Sequence, residues 1–285
     1  MKKASKQSKT LPEVAALKAH AQHIRRNILT MAARVKSSHI GGGFSVADIL
    51  TALYFKVLHV DPKHPSDPNR DRLIFSKGHC AAALYAALTE RGFAPESVLN
   101  DFFADGKLLT GHPTRNCLPG VEASTGSLGH GLSLGAGIAY AARMDKASSR
   151  AFVVMSDGEC DEGSTWEAAM SAAHHKLENL VAILDYNHLQ GFGRTDDVLT
   201  LEPLRDKWQS FGWAVKEVDG HNFTELLNVF KKIPFAKGKP SVVIAHTVKG
   251  KGVSFMENSL DWHYKYPQGE ELQRALKELG DAPKL

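Results

Sequence analysis

The chain has 285 residues, 43% of them hydrophobic and 23% charged, with a net charge of +4. That is long and apolar enough for one large α/β domain with its own core. The charge is modest and scattered, with no basic stripe interleaved with aromatics, so no nucleic-acid partner is expected.

Residues 1–10 read as a disordered tail: Met1 to Lys9 holds four Lys, two Ser and no large apolar residue beyond the initiator Met. The tail lacks the apolar run of a secretory signal. No stretch approaches the roughly 18 apolar residues of a membrane span, so no membrane partner is expected. Cys80, Cys117 and Cys160 are widely spaced and odd in number. That argues against a disulfide framework or zinc site and fits a reducing cytoplasm. Residues 11–285 are expected to form a single domain.

From Leu11 to Lys36 apolar residues recur at helical spacing, among them Leu17, Ile24, Ile28 and Met31. Ser37-Ser38-His39-Ile40-Gly41-Gly42-Gly43 then reads as a flexible loop before a helix over Val46–Val57. Arg70 to His79 runs a strand into a Gly-His loop, and His79 opens a helix over Cys80–Arg91, where backbone donors favour a phosphate. Gly111-His112-Pro113 lies in an irregular region. It ends at Gly120-Val121-Glu122-Ala123-Ser124-Thr125-Gly126-Ser127-Leu128-Gly129-His130-Gly131, a turn feeding a small-residue helix, Leu132 to Arg143. This is no dinucleotide fingerprint, because Leu134 stands where a third Gly is needed and no strand leads in.

Ala151–Met155 is a short apolar strand that ends on Asp157. Ser164-Thr165-Trp166-Glu167 reads as a capping box with Ser164 as N-cap, continued by a helix to Lys176. Leu180–Leu184 is a second apolar strand and ends on Asn187. A strand–helix–strand unit of this kind pairs in parallel with a right-handed crossover, and ligands gather beyond its carboxyl edge. Asp157 and Asn187, 30 positions apart, would both sit there. A carboxylate and an amide oxygen suit a hard cation such as Mg²⁺ or Ca²⁺ that also holds phosphates. The remainder alternates: helix Leu204–Phe211, strand Val215–Val218, the turn Asp219-Gly220-His221, helix Phe223–Lys232, strand Ser241–Ala245 and helix Glu270–Leu279. Lys249-Gly250-Lys251-Gly252 reads as an exposed turn. The pattern is α/β, a doubly wound parallel sheet with helices on both faces.

Several of these segments resemble transketolases. Asp157-Gly158-Glu159-x-x-Glu162-Gly163-Ser164-x-Trp166-Glu167-Ala168 with Asn187 is similar to their diphosphate and metal signature, and Ser76-x-Gly78-His79, the segment Gly120 to Gly131 and Trp262-His263 follow in family order. Ser156, Ile40 and His130 depart from the family pattern, where Gly, Pro and Gln are usual. The resemblance implies the thiamine diphosphate-binding fold, with thiamine diphosphate and Mg²⁺ (or Ca²⁺ or Mn²⁺) as cofactors. It implies that Asp157 and Asn187 hold the metal by side chain and Leu189 by its carbonyl. His79, Gly126, Ser127, Leu128, Asp157, Gly158, Glu159, Asn187 and His263 would contact the cofactor. His39, His112 and His263 would serve substrate hydroxyls, and Glu162 would couple two active sites across a dimer. In that family a middle domain supplies a catalytic Glu, and that domain is expected on a separate polypeptide. The resemblance therefore implies the N-terminal subunit of a split transketolase, working on sugar phosphates in an α2β2 heterotetramer with a C-terminal transketolase subunit. The alternatives are the same machinery on an unusual sugar, another thiamine diphosphate enzyme such as a 2-oxo acid dehydrogenase alpha chain, or an inactive binding module.

Overall fold

The computed structural model describes residues 4–281. Five strands, β1 (Arg72–Phe75), β2 (Ala151–Ser156), β3 (Leu180–Tyr186), β4 (Ala214–Asp219) and β5 (Ser241–His246), form one sheet in the order β1-β2-β3-β5-β4. Every pairing is parallel. β2 and β3 are buried at every position, as central parallel strands covered on both faces must be. Their side chains alternate between two cores. Phe152, Val154, Val181 and Ile183 pack with α1 (Ala4–Val35), α2 (Ile40–Ala52), α3 (Ala81–Arg91) and α8 (Phe223–Phe230). Val153, Met155, Ala182 and Leu184 pack on the other face with α4 (Gly131–Met144), α5 (Gly163–His174) and α7 (Leu204–Ser210). The short α6 (Thr195–Val198) and the closing α9 (Gly269–Glu278) complete the chain. The doubly wound sheet expected from the strand–helix alternation is the observed fold.

Four expectations are corrected. The first helix begins at Ala4 and runs through most of the segment expected to be a disordered tail, while Met1 to Lys3 lie outside the described residues. The Gly41-Gly42-Gly43 segment is not a loop but the buried first turn of α2. A Cβ on Gly42 would stand 2.8 Å from Cys80 Sγ, so glycine there reflects close helix packing rather than flexibility. Ile40–Val57 is long and apolar enough, by length and composition, to cross a membrane, with mean hydropathy 1.3, but 83% of it is buried inside the fold. Two-sided apolarity in such a helix marks a core element as readily as a membrane span. Finally, Ser164 is not an N-cap. Glu162 holds that position without a side-chain cap, and Ser164 Oγ donates instead to Gly129 O at 3.0 Å.

Candidate functional site

Asp157 and Asn187 follow β2 and β3, which are paired neighbours, so both lie at the carboxyl edge of the sheet. They are 2% and 5% exposed. Asp157 Oδ1 accepts from the Gly158 amide at 2.8 Å, and Oδ2 accepts from the Asn187 and His188 amides at 3.0 and 2.7 Å. Asn187 Oδ1 accepts from the Leu189 amide at 3.2 Å. Burial, reinforced by nearby Asp185, pushes the Asp157 carboxyl up to about 6. The ionised form is thus poorly satisfied where it stands, and a cation would relieve it.

A residue expected to be exposed completes this edge. Lys249 is 2% exposed and its Nζ donates to Leu189 O at 2.8 Å. Burial lowers its ammonium to about 8. The turn after β5 is therefore partly internal, because β5 is inserted beside β3 and delivers its following residues to the same edge. Among the described residues no group of three or more His, Cys, Asp or Glu side chains is placed to hold a metal. The oxygen set of Asp157, Asn187 Oδ1 and Leu189 O nevertheless fits a hard divalent cation. Asp157 Oδ1, Asn187 Oδ1 and Leu189 O each accept a single hydrogen bond and so retain a lone pair, and the carbonyl already attracts a positive charge in the form of Lys249.

Beneath the edge lies a second buried ion pair. Lys77, 1% exposed, donates to Asp185 Oδ2 and, at 3.1 Å, to Gly42 O. Ser45 Oγ donates to Asp185 Oδ2 at 2.6 Å, and Thr247 Oγ1 donates to Oδ1. Burial works against the charge on Lys77, but Asp185 outweighs it and raises the ammonium above its ordinary value. This network ties the ends of β1, β3 and β5 to the first turn of α2. The sequence motifs assign no role to Lys77 or Asp185 and place Lys249 in an exposed turn.

The histidines converge. His39 is the N-cap of α2 in the left-handed region, φ 69°, and its amide donates to His263 O at 2.9 Å. The rings of His39 and His79 lie 5.3 Å apart, those of His39 and His263 4.9 Å, and those of His79 and His263 6.1 Å. Burial, with Lys249 and Lys77 nearby, depresses His39 to about 4 and His263 to about 3, and holds His79 well below its ordinary value. All three are therefore neutral at pH 7, each with one donor and one acceptor nitrogen. His112 is exposed and lines the same cavity as His39 and His79. Ile40 occupies the first position of α2, where proline is also accommodated, so this family departure leaves the helix start intact.

Gly126-Ser127-Leu128 borders His112. Gly126 has φ 151°, and a Cβ there would stand 2.7 Å from His112 Cδ2, so only glycine lets the turn reach the ring. Glu159, expected to contact the cofactor, is fully buried, with its carboxylate on the turn. It accepts from Ser76 Oγ, from the Gly129 amide at 3.0 Å and from the Ser156 amide at 3.4 Å. Its role in the structure is to hold the turn. Gly158 lies beside Gln190. Glu162 is exposed, with its side chain beside Gly129 rather than in the histidine cluster. Ser156 buries a hydroxyl without a partner. Nothing in the structure explains His130, which is exposed at the N-cap of α4.

A family model described as the transketolase thiamine diphosphate-binding domain matches residues 17–284. The chain is 44% identical over 269 residues to an apulose-4-phosphate transketolase subunit of Phocaeicola vulgatus, covering 94% of this chain and 95% of that one. It is 41% identical over 263 residues to the 6-deoxy-6-sulfo-D-fructose transketolase subunit SqwG of a Clostridium species, covering 92% and 96%. The solved transketolase of Leishmania mexicana superposes with a TM-score of 0.87 at 28% identity, covering 94% of this chain and 42% of that one. The Campylobacter jejuni transketolase gives 0.85 at 30% identity, covering 94% and 43%. The chain thus spans less than half the length of these solved transketolases.

Proposed function

The chain belongs to the transketolase family, as one thiamine diphosphate-binding subunit of such an enzyme, and from that premise we propose how its site is filled and what it acts on. The observation that carries the reading is the meeting of Asp157, Asn187, Leu189 O and Lys249 at the edge of β2, β3 and β5, beside three neutral histidines. Thiamine diphosphate and one divalent cation, Mg²⁺ in the first instance, are the groups this set suits. Asp157 and Asn187 hold the cation by side chain and Leu189 by its carbonyl. Lys249 and His79 supply donors for the diphosphate, and the turn Gly126-Ser127-Leu128 borders the cofactor's centre. When bound, thiamine diphosphate supplies a nucleophilic ring carbon and an electron sink, which together allow a carbon–carbon bond beside a ketose carbonyl to break.

The chain's own residues then orient sugars and move protons. Neutral His39 accepts a hydroxyl proton at one nitrogen and donates from the other, whereas Lys249 Nζ donates to His263 Nδ1 at 2.9 Å, so neutral His263 carries its proton on Nε2 and donates from there. His112, on the open side of the cavity, meets the substrate as it enters. The resulting reaction is transfer of a two-carbon ketol unit from a ketose phosphate to an aldose phosphate. Relatives of matching length are named as single subunits of transketolases, which supports a separate partner polypeptide; the assembly proposed with it is α2β2. Glu162, exposed beside the Gly129 turn, is available to a second copy. A second reading, the same transfer on an uncommon sugar, is favoured by relatives named for apulose 4-phosphate and for 6-deoxy-6-sulfo-D-fructose.

The test is a ketol-transfer assay with xylulose 5-phosphate, ribose 5-phosphate, thiamine diphosphate and Mg²⁺, with and without the polypeptide encoded alongside. Activity in the mixture alone supports the split enzyme, and robust turnover by this chain alone overturns it. Cofactor binding by the mixture without pentose phosphate turnover moves the reading to the uncommon sugars. Release of CO₂ from pyruvate without ketol transfer overturns the reaction class.

A further inference from the structure

The turn Asp219-Gly220-His221 takes no part in the site described above, yet its histidine is wired to it. His221 follows β4, and its side chain is 13% exposed. Nε2 accepts from the Val248 amide at 2.8 Å. That contact fixes the ring proton on Nδ1, which donates to Asp48 Oδ2 at 2.6 Å. Asp48 lies in α2 and is gripped by Arg25 of α1, Nη2 donating to Oδ2 at 2.6 Å and Nη1 to Oδ1 at 3.1 Å. Arg25 is itself fixed by two bonds to Phe44 O, at 3.1 and 3.0 Å. A neutral imidazole is the group that both accepts from an amide and donates to a carboxylate across this gap.

The main-chain amide so held immediately precedes Lys249. The neighbouring links are backbone bonds, from the Thr247 amide to Tyr186 O at 3.0 Å and from the Gly250 amide to Gly41 O at 2.9 Å. Val248 is the position where a side chain from another element takes the amide. The Lys249 stem has little freedom to compensate for a shift, since a Cβ on Gly41 would stand 3.0 Å from its Cγ. We propose that His221 is a positioning residue for cofactor binding: braced by Asp48 and Arg25, it fixes the main chain at Val248 and so delivers the Lys249 ammonium to the diphosphate. This rests on the reading of Lys249 as a diphosphate donor.

The experiment compares His221→Leu, His221→Gln, Lys249→Met and the His221→Leu/Lys249→Met double variant in the reconstituted two-subunit enzyme. Thiamine diphosphate affinity with Mg²⁺ is read by calorimetry, and the cofactor KM is separated from kcat. Leaving the Val248 amide without an acceptor is expected to weaken cofactor binding about tenfold in His221→Leu. The loss should fall on the cofactor KM rather than on kcat. His221→Gln, whose Oε1 can still accept, should recover most of the affinity. The double variant should bind no more weakly than Lys249→Met alone, because the two residues act through one contact. Should His221→Leu fail to fold, His221→Asn, too short to reach Val248, is measured in its place with the same expectation. Weakened binding in Lys249→Met with unchanged binding in His221→Leu overturns the positioning role alone. Unchanged binding in Lys249→Met overturns the reading of Lys249 and the proposal with it.

Discussion

Replacing Asp157 by Asn tests the cation site directly, because it removes the charge while keeping the shape. The Asp157 carboxyl is raised from 3.8 to about 6, chiefly by burial. A folded-state pKa raised in this way gives stability that is complete below 3.8 and lost as pH rises through about 6. At pH 7.5 the metal-free protein therefore carries an ionised, desolvated carboxylate at a cost of about 3 kcal/mol. A divalent cation offsets that cost. Asp157→Asn removes it too, but points an amide NH₂ at some of the three backbone amides that Asp157 now accepts from, which costs about 1–3 kcal/mol. The two effects nearly cancel, so the metal-free variant should match the wild type at pH 7.5 within about 2 kcal/mol. Urea unfolding is the assay, with and without Mg²⁺ and thiamine diphosphate. The wild type should gain about 2.7 kcal/mol at a hundredfold excess over Kd, and the variant should gain almost none. In chelator, moving from pH 7.5 to 5 should stabilise the wild type relative to Asp157→Asn. A variant that keeps the full ligand-induced gain would refute the cation assignment.

Lys77→Met leaves Asp185 buried and unpaired, and should destabilise the fold by about 3–5 kcal/mol, measured by urea unfolding. Glu90 accepts from His20 Nδ1 at 2.7 Å and His23 Nδ1 at 2.5 Å. Burial opposes its ionisation, but the two histidines outweigh burial and hold it at about 2, while Glu90 in turn raises His23. Its contribution is present above 4.5 and lost as pH falls through 2, whereas that of His23 is present below 6.5 and lost as pH rises. Glu90→Gln should accordingly lose about 2 kcal/mol near pH 5.5 and less at pH 8.5; a loss independent of pH contradicts the pairing. Since burial and the neighbouring lysines depress His263 to about 3, the unfolded chain takes up a proton below 6.5 that the folded one does not. His263→Gln should therefore blunt the fall in metal-free stability between pH 6.5 and about 4, a difference that parallel melting curves would show.

The fold was legible because its signals are local. β2 and β3 are short apolar runs that end on polar residues, and parallel pairing puts those ends at one edge wherever the intervening helix crosses back. Asp157 and Asn187 could be placed from that alone. The errors share a physical cause, which is that composition does not report on packing partners. Gly41-Gly42-Gly43 has the composition of a flexible loop, yet it is helical because Lys249, Cys80 and Ile28 press against it. Ser164-x-x-Glu167 has the spacing of a capping box, but the Ser164 hydroxyl finds a carbonyl of the Gly129 turn first.

Lys249 shows where a stronger rule was at hand. Its composition, two lysines among glycines, suggests solvent, whereas its position, three residues beyond the last residue of a parallel strand, suggests the ligand edge. The positional rule follows from topology and the compositional one from averages, so position decides here. The consequence is electrostatic. Lys77 neutralises Asp185, and Lys249 faces Asp157 across the loop that carries Asn187 and Leu189. With the histidines neutral, the buried site is close to charge-balanced before anything binds. A cation alone would crowd Lys249, and a diphosphate alone would crowd Asp157. Each is accommodated when the other is present, so the arrangement favours joint binding of cation and diphosphate over either one singly.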